Sequence, residues 1–288
     1  MKKDKIYNCY KKYILHNATL KYPEIRKRKF SLEYYLNNFI HVLNDVTKWE
    51  SLKLINKYEN EYHWKAIYNE YNKWSNDDIF HDAYIDFLKN NYFKISKVRK
   101  NKKINIFVDV TKITNKHGSE KIGLNGEYKK KNVTCLSIAC DENKIPLGLS
   151  YLNTNLNKTK TGKHTFQHDI KGLQPTLDSI PINIKPYIAV NLIGDKGYIS
   201  SNKFKLFERD VRIITPKRKN QKKKNTKKEH KLLAKRHKIE NFFVTIKRKD
   251  RVMLRKERKI GSYMSFVYIT LIEYLFKTSK DMDVTIYS

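Results

Sequence analysis

Apolar residues change their spacing once along this chain, near residue 103, and the change divides it into two kinds of structure. Between 31 and 95 they recur every three or four positions. Leu32, Leu36, Phe39, Ile40 and Leu43 form one set, Trp64, Ile67, Tyr68, Tyr71 and Trp74 a second, and Ile79, Ala83, Ile85 and Leu88 a third. At about 100° per residue such sets fall on one face of a helix, so this stretch is expected to be helical. Neither Gly nor Pro occurs between Pro23 and Gly118. The breaks between helices must therefore fall on polar runs such as Ser75-Asn76-Asp77-Asp78. Beyond a basic linker at 96–103, Ile104–Val110 is β-branched and almost continuously apolar, as in a strand covered on both faces. Val133–Cys140 and Ile145–Leu152 read as two further strands around a turn at Asp141–Lys144. There follow a helix near 166–178, a strand at Tyr187–Ile193, a short helix near 200–208, a strand at Val211–Thr215, a lysine-rich loop at 216–228 and a helix from about Glu229 to Arg248. The division expected is an N-terminal arm (1–30), a small all-helical domain (31–95), a linker (96–103) and an α/β domain (104–288).

Composition narrows the partners. The chain has 288 residues with 61 Lys+Arg against 29 Asp+Glu, a net charge of +32. A surplus of that size favours a polyanion, and nucleic acid is the common one. An A/T-rich genome, which would also enrich Lys, Asn, Ile and Tyr, is the plainer source of the bias. The helical stretch interleaves Lys with aromatics and could form a helix-turn-helix-like DNA-binding module; a plain bundle fits the pattern equally well. The three cysteines form no Cys-x-x-Cys pair, which argues against structural zinc and suits a reducing compartment. The basic N-terminus has no apolar core behind it, so secretion is not expected. The longest apolar run, Tyr263–Phe276, is interrupted by Glu273 and falls short of the roughly 20 residues of a membrane span, so it reads as a core helix. His117, His164 and His168 lie in polar stretches without a zinc-ligand pattern and read as surface histidines.

Three carboxylates carry the candidate chemistry. Asp109 lies near the end of the first strand, among residues that would otherwise be core, and a carboxylate there is costly to bury without a compensating cation or donor. Asp195 follows the fourth strand between Gly194 and Lys196-Gly197, where the backbone can turn sharply toward a ligand. Open α/β sheets place active sites at the carboxyl ends of their strands. Glu240 lies on the late helix, and Arg236, Glu240 and Lys247 span only about 40° of its face. Taken singly, an Asp at a strand end is commonly a turn residue and a Glu on a basic helix commonly half of a surface ion pair. The three together, in this order, suit a pair of hard divalent cations that activate the attacking oxygen and stabilise the leaving one in phosphoryl transfer. Arg236 and Lys247 would then meet phosphate. In the cationic run Pro216–Lys228, Lys217, Arg218 and Lys219 are further candidate DNA contacts, against the plainer reading of a solvated loop.

The order of elements resembles the ribonuclease-H-like fold, a mixed sheet with flanking helices, here preceded by the helical domain. The motifs resemble those of DDE transposases of bacterial insertion sequences, in the group with a Tyr-Arg-Glu-Lys signature. Asp109-Val110-Thr111 matches the strand motif, Gly194–Tyr198 the second motif, and Arg236, Glu240 and Lys247 the last three positions of Tyr-x2-Arg-x3-Glu-x6-Lys. Leu233 stands where that group often has Tyr. The resemblance implies Asp109, Asp195 and Glu240 as catalytic, metal-holding residues with two Mg²⁺, or Mn²⁺ in their place. It also implies binding of transposon ends, DNA cleavage, joining of the 3′-OH to target DNA, and action as a homodimer or larger oligomer wherever the host DNA is. A ribonuclease-H-like nuclease that does not transfer strands, and a non-catalytic DNA-binding descendant, are the alternatives.

Overall fold

A computed structural model describes residues 2–23, 30–44, 48–52, 64–96, 103–125, 131–158, 164–166, 168–183, 189–199, 204–206, 209–217 and 224–279. They form two compact units, one of residues 1–95 with 246–288 and one of residues 96–245. The first passage from the helical to the α/β unit falls between Ile95 and Ser96. The chain returns to the helical unit at Ile246, so residues 246–288 do not belong with the α/β unit as the sequence suggested.

The helical unit contains Lys2–Lys21, Leu32–Asn44, Trp64–Asn76, Ile79–Ile95 and Ile260–Thr278. Its first helix corrects the expected N-terminal arm. Tyr10, Tyr13, Ile14 and Ala18 form an i, i+3, i+4, i+8 stripe, and all four are buried. The third and fourth helices break at Asp77–Asp78, within the polar run marked by the sequence, and Asp78 takes a left-handed φ of 57°. The core is aromatic: Tyr71 stacks on Phe266 at 4.6 Å between ring centres, and Phe39 packs edge-on to Tyr71 and Trp74. Ile260–Thr278 is a buried helix, as its apolar run implied. Glu273, the charge that interrupts it, pairs with Lys249 at 2.9 Å and with Lys277. No described helix is long and apolar enough to cross a membrane.

The α/β unit is built on a mixed sheet: β1 (Ile104–Asn115), β2 (Gly123–Asn125), β3 (Lys131–Asp141), β4 (Pro146–Tyr151), β5 (Thr154–Lys158), β6 (His164–Phe166), β7 (Val190–Ile193), β8 (Lys205–Leu206) and β9 (Arg209–Ile214). The spatial order is β5-β6-β2-β3-β1-β7-β9-β8, with β4 also paired to β3. The centre follows β4-β3-β1-β7-β9, antiparallel on the β3 side and parallel from β1 through β9. This α/β arrangement with flanking helices is compatible with a ribonuclease-H-like fold. Its middle strands carry the β-branched runs, and every residue of Val190–Ile193 is buried. The turn into β4 forms as expected, with the Asp141 carboxylate accepting from Asn143 N at 2.8 Å and Ile145 N at 2.9 Å. The Leu173–Asp178 helix lies against β4 at Gly148, where a side chain would meet the Thr176 carbonyl at 2.6 Å.

Two expected helices differ. Lys205–Leu206, inside the segment read as a helix near 200–208, is a short strand paired antiparallel with β9. The helix expected from 229 to 248 is two helices, Lys227–Ala234 and His237–Ile246. Between them the backbone tightens to i→i−3 hydrogen bonds, Lys235 N to Leu232 O, Arg236 N to Leu233 O and Lys238 N to Lys235 O. Of the histidines, His117 and His168 are exposed, while His164 lies in β6.

Candidate active site

Asp109 and Asp195 are brought level by strand register. Phe107 pairs with Ile193 in the last rung of the parallel β1–β7 ladder; Asp109 and Asp195 each follow two residues later and act on each other electrostatically. β7 stops at Ile193, whereas β1 continues along β3 as far as Thr114. Asp109 is thus not near the end of its own strand, as the sequence suggested; it lies where the neighbouring strand ends and opens a notch in the sheet. The polar half of β1, Thr111–Asn115, conceals its length, because only its alternate residues Thr111 and Ile113 are buried.

Asp195 caps a short 3-10 turn at Lys196–Tyr198, its Oδ1 accepting from Gly197 N at 2.7 Å. Gly197 leaves room for that carboxylate in this orientation, because a Cβ would stand 2.9 Å from the same oxygen and 3.5 Å from His168 Cε1. Gly194 is required for a different contact, since its Cβ would press on the Tyr198 ring at 2.8 Å.

Arg236 and Glu240 come from the tight turn and the first turn of His237–Ile246. That helix is tied to the β3–β4 turn by Lys235 Nζ to Glu142 Oε1 at 3.0 Å and Lys238 Nζ to the Glu142 carbonyl at 2.6 Å. One Arg236 amino group reaches both Asp109 Oδ2, at 3.3 Å, and Glu240 Oε1, at 3.5 Å. The Asp109 side chain is 18% exposed, Arg236 23% and Glu240 58%. Arg236 is therefore half-buried and bridges two acids, and is more than the surface partner of Glu240 that the plainer reading made it. Its buried Nε donor has no hydrogen-bond partner among the described residues.

Burial raises the Asp109 carboxyl above the ordinary carboxylate range. Arg236 and the Val110 N–H, which donates to Oδ1 at 2.9 Å, pull it back, while Asp195 and Glu240 push it up further. These residues act on one another electrostatically within a notch of the sheet. The donor set is all carboxylate oxygen, the chemistry a hard divalent cation takes. Among the described residues, however, no three acidic, His or Cys side chains converge closely enough to hold an ion as they stand. Arg236 lies on both Asp109 and Glu240, so closing a three-carboxylate site requires that guanidinium to yield.

The other expected site residues are dispersed. Lys247 follows the end of the His237–Ile246 helix within the helical unit, and burial lowers its ammonium pKa. Lys217 is exposed, and its N–H donates to Asn225 Oδ1 at 2.9 Å. Arg218 and Lys219 lie outside the described residues. Asn225 Nδ2 donates to the Thr215 carbonyl at 3.1 Å, so one side chain joins the two ends of the lysine-rich loop. Thr226 and Glu229 form a capping box there, and Glu229 pairs with Arg212 at 2.9 Å. Two residues not singled out by the sequence also belong to the neighbourhood. Tyr198, quoted only as the last residue of the second motif, is fully buried and feels Asp109 and Asp195 electrostatically, as it does Asp169, in the 3-10 turn Asp169–Gly172.

Residues 176–260 match a family model described as a transposase DDE domain. This stretch is similar to the DDE domain of transposases. The match takes in Asp195, Arg236, Glu240 and Lys247; Asp109, its partner across the sheet, lies outside it. No curated protein and no solved structure matches the chain. The similarity supports a transposase-type nuclease function in general terms, on the segment that holds two of the three acids.

Proposed function

We propose that the chain is a DDE-type transposase in which Asp109, Asp195 and Glu240 are the catalytic carboxylates. The observation that carries the reading is the register that sets Asp109 level with Asp195 at the end of β7, with Arg236 linking Asp109 to Glu240. The three acids would hold two Mg²⁺ or Mn²⁺ ions, which when bound supply charge to the attacking and leaving oxygens of an in-line displacement. In cleavage, water forms the new bond to phosphorus, the P–O3′ bond breaks, and the freed 3′ oxygen takes up a proton. In joining, that 3′-OH attacks a target phosphodiester, and a target 3′-OH is released. Arg236 faces phosphate once it leaves the acids, and Lys247 is assigned to DNA flanking the scissile bond. The helical unit recognises transposon ends, and Lys217, Arg218 and Lys219 with the rest of the lysine-rich loop contact duplex phosphates. The protein works as a homodimer or larger assembly on paired ends.

Asp109→Ala, Asp195→Ala and Glu240→Ala are each expected to abolish Mg²⁺-dependent nicking of end-bearing DNA while leaving DNA binding intact. Wild-type nicking in any one of them removes that residue from the site. A wild-type protein that nicks but never joins a 3′-OH to target DNA would instead be a nuclease of this fold. One that binds duplex DNA and does neither would be a non-catalytic DNA-binding protein.

A further inference from the structure

Tyr198 is fully buried, yet among the described residues its hydroxyl meets no hydrogen-bond partner of good geometry. Ser137 also bears on the hydroxyl and lowers its pKa, and the Ser137 and Thr176 hydroxyls stand 2.7 Å apart. Three carboxylates, those of Asp109, Asp169 and Asp195, bear on the Tyr198 hydroxyl electrostatically, and they and burial hold the phenol well above its ordinary pKa. It is therefore a neutral donor at any working pH. Its position is fixed by the backbone: the ring packs against Gly194 so closely that a Cβ there would stand 2.8 Å from Cδ2, and its N–H bonds back to the Asp195 carbonyl at 3.3 Å. A buried donor left unmade is destabilising, so a phenylalanine would serve the packing better unless the hydroxyl has an acceptor in the working state. The acceptors beside it are the acids of the proposed site.

We propose that Tyr198 is a positioning residue, whose hydroxyl donates to an ordered water that in turn donates to the carboxylates of Asp109 and Asp195. The inference rests on the proposed role of those two acids. The water orients both carboxylates toward the notch and shares the repulsion between them. Such a water has the polar partners it needs and is retained because they are buried. The aromatic ring of Tyr198 is the wall of the site, and its hydroxyl is the part that acts.

Tyr198→Phe deletes the hydroxyl and keeps the wall. Its melting temperature without metal is expected to equal or exceed that of the wild type. The Mn²⁺ concentration giving half of the metal-induced thermal shift should rise about tenfold. In cleavage, kcat should fall about tenfold at fixed Mg²⁺, with KM for DNA unchanged. An unaltered Mn²⁺ midpoint together with unaltered kcat would make the hydroxyl an idle part of the core and overturn the proposal. A structure of the wild-type protein at a resolution that shows waters is the second test. A water within hydrogen-bond distance of Tyr198 Oη and of an Asp109 or Asp195 carboxylate oxygen is expected; a hydroxyl bonded to Ser137 alone would overturn the proposal even if the variant failed to fold. Inactive Asp109→Ala and Asp195→Ala beside a fully active Tyr198→Phe would sink this inference alone. Active alanine variants would sink the proposed site itself.

Discussion

Replacing Arg236 by Gln tests the geometry of the site without any DNA present. The guanidinium bridges Asp109 and Glu240 in the metal-free protein, and the two contacts carry unequal weight. The Glu240 side chain is 58% exposed, so that i,i+4 pair contributes about 0.3–0.5 kcal/mol at most. Asp109 is 18% exposed and already held above its ordinary pKa by burial, with Arg236 as the main group opposing that rise. Removing Arg236 leaves a buried carboxylate with one backbone donor, a loss of about 1–3 kcal/mol. For a unit of this size that lowers the melting temperature by roughly 2–12 °C. The pH dependence follows from the sign of the shift. A carboxyl whose folded pKa is raised binds protons more tightly in the folded state, so its unfavourable contribution appears as pH rises from its unfolded value through the folded one. Arg236→Gln raises the folded pKa further. The deficit relative to wild type is therefore full above both folded pKa values and shrinks as pH falls through them, vanishing once Asp109 is protonated in both proteins. Thermal melts of both proteins between acid and neutral pH read this directly. In Asp109→Asn, which has no charge to lose, adding Arg236→Gln should cost only the small Glu240 share. Equal melting temperatures for wild type and Arg236→Gln across the whole pH range would refute the bridge.

Two other substitutions probe different parts of the site and its surroundings. Gly197→Ala places a Cβ 2.9 Å from Asp195 Oδ1, a short side chain that can swing away; folding stability should change by less than about 1 kcal/mol while Mg²⁺-dependent nicking falls at least tenfold, and unchanged nicking would mean that this carboxylate orientation is not used. Replacing Lys217, Lys224, Lys227 and Lys228 together by Gln should flatten the log–log salt dependence of duplex DNA binding by about 0.9 for each phosphate no longer neutralised; an unchanged slope would assign those lysines to solvent.

What could be read from the sequence follows a simple physical division. Elements whose burial is two-sided or strictly periodic were legible: Ile104–Val110, Val133–Cys140 and the helices at 64–76 and 79–95 each carry a repeating apolar signal that fixes their type. Elements at sheet edges were not. Thr154–Lys158 reads Thr-Asn-Leu-Asn-Lys, with a single apolar residue and so no periodic apolar signal to mark it as a strand. The N-terminal helix was hidden by its lysines, which obscure a stripe of four buried residues. Membership of the helical unit by Ile260–Thr278 is set by long-range packing on helices almost two hundred residues earlier, and periodicity is silent on that. At the site, Asp109, Asp195, Arg236 and Glu240 were legible because charges amid apolar or glycine-flanked segments stand out. Asp169 was not legible, because its place beside Tyr198 depends on an approach between two short turns far apart in the chain.

Asp109 ties the sheet to the chemistry proposed for it. Its neighbours on β1, Phe107 and Val108, are fully buried, and an apolar residue in its place would extend that core at no electrostatic cost. Instead the chain keeps a carboxylate that burial opposes, places a second one level with it, and sets a half-buried arginine across the first and a third acid. In a chain of net charge +32 a further cation is easily found, so scarcity of positive charge does not explain why one arginine serves two acids. A bridging guanidinium neutralises the acids while no other cation is present, and it can be displaced, because neither contact is short or fully buried. Proteins tolerate such local conflict where function needs it, and the surrounding framework of buried strands supplies the stability to hold it. A core substitution, Asp109→Leu, separates these two demands. If burial cost alone governs the position, the variant should be more stable than wild type by about 0.5–2 kcal/mol at neutral pH, as site-relieving substitutions commonly are, and inert in nicking. A variant clearly less stable than wild type would mean that the Arg236–Asp109 contact is part of the framework, and the arginine could not then yield to a metal as the proposed mechanism requires.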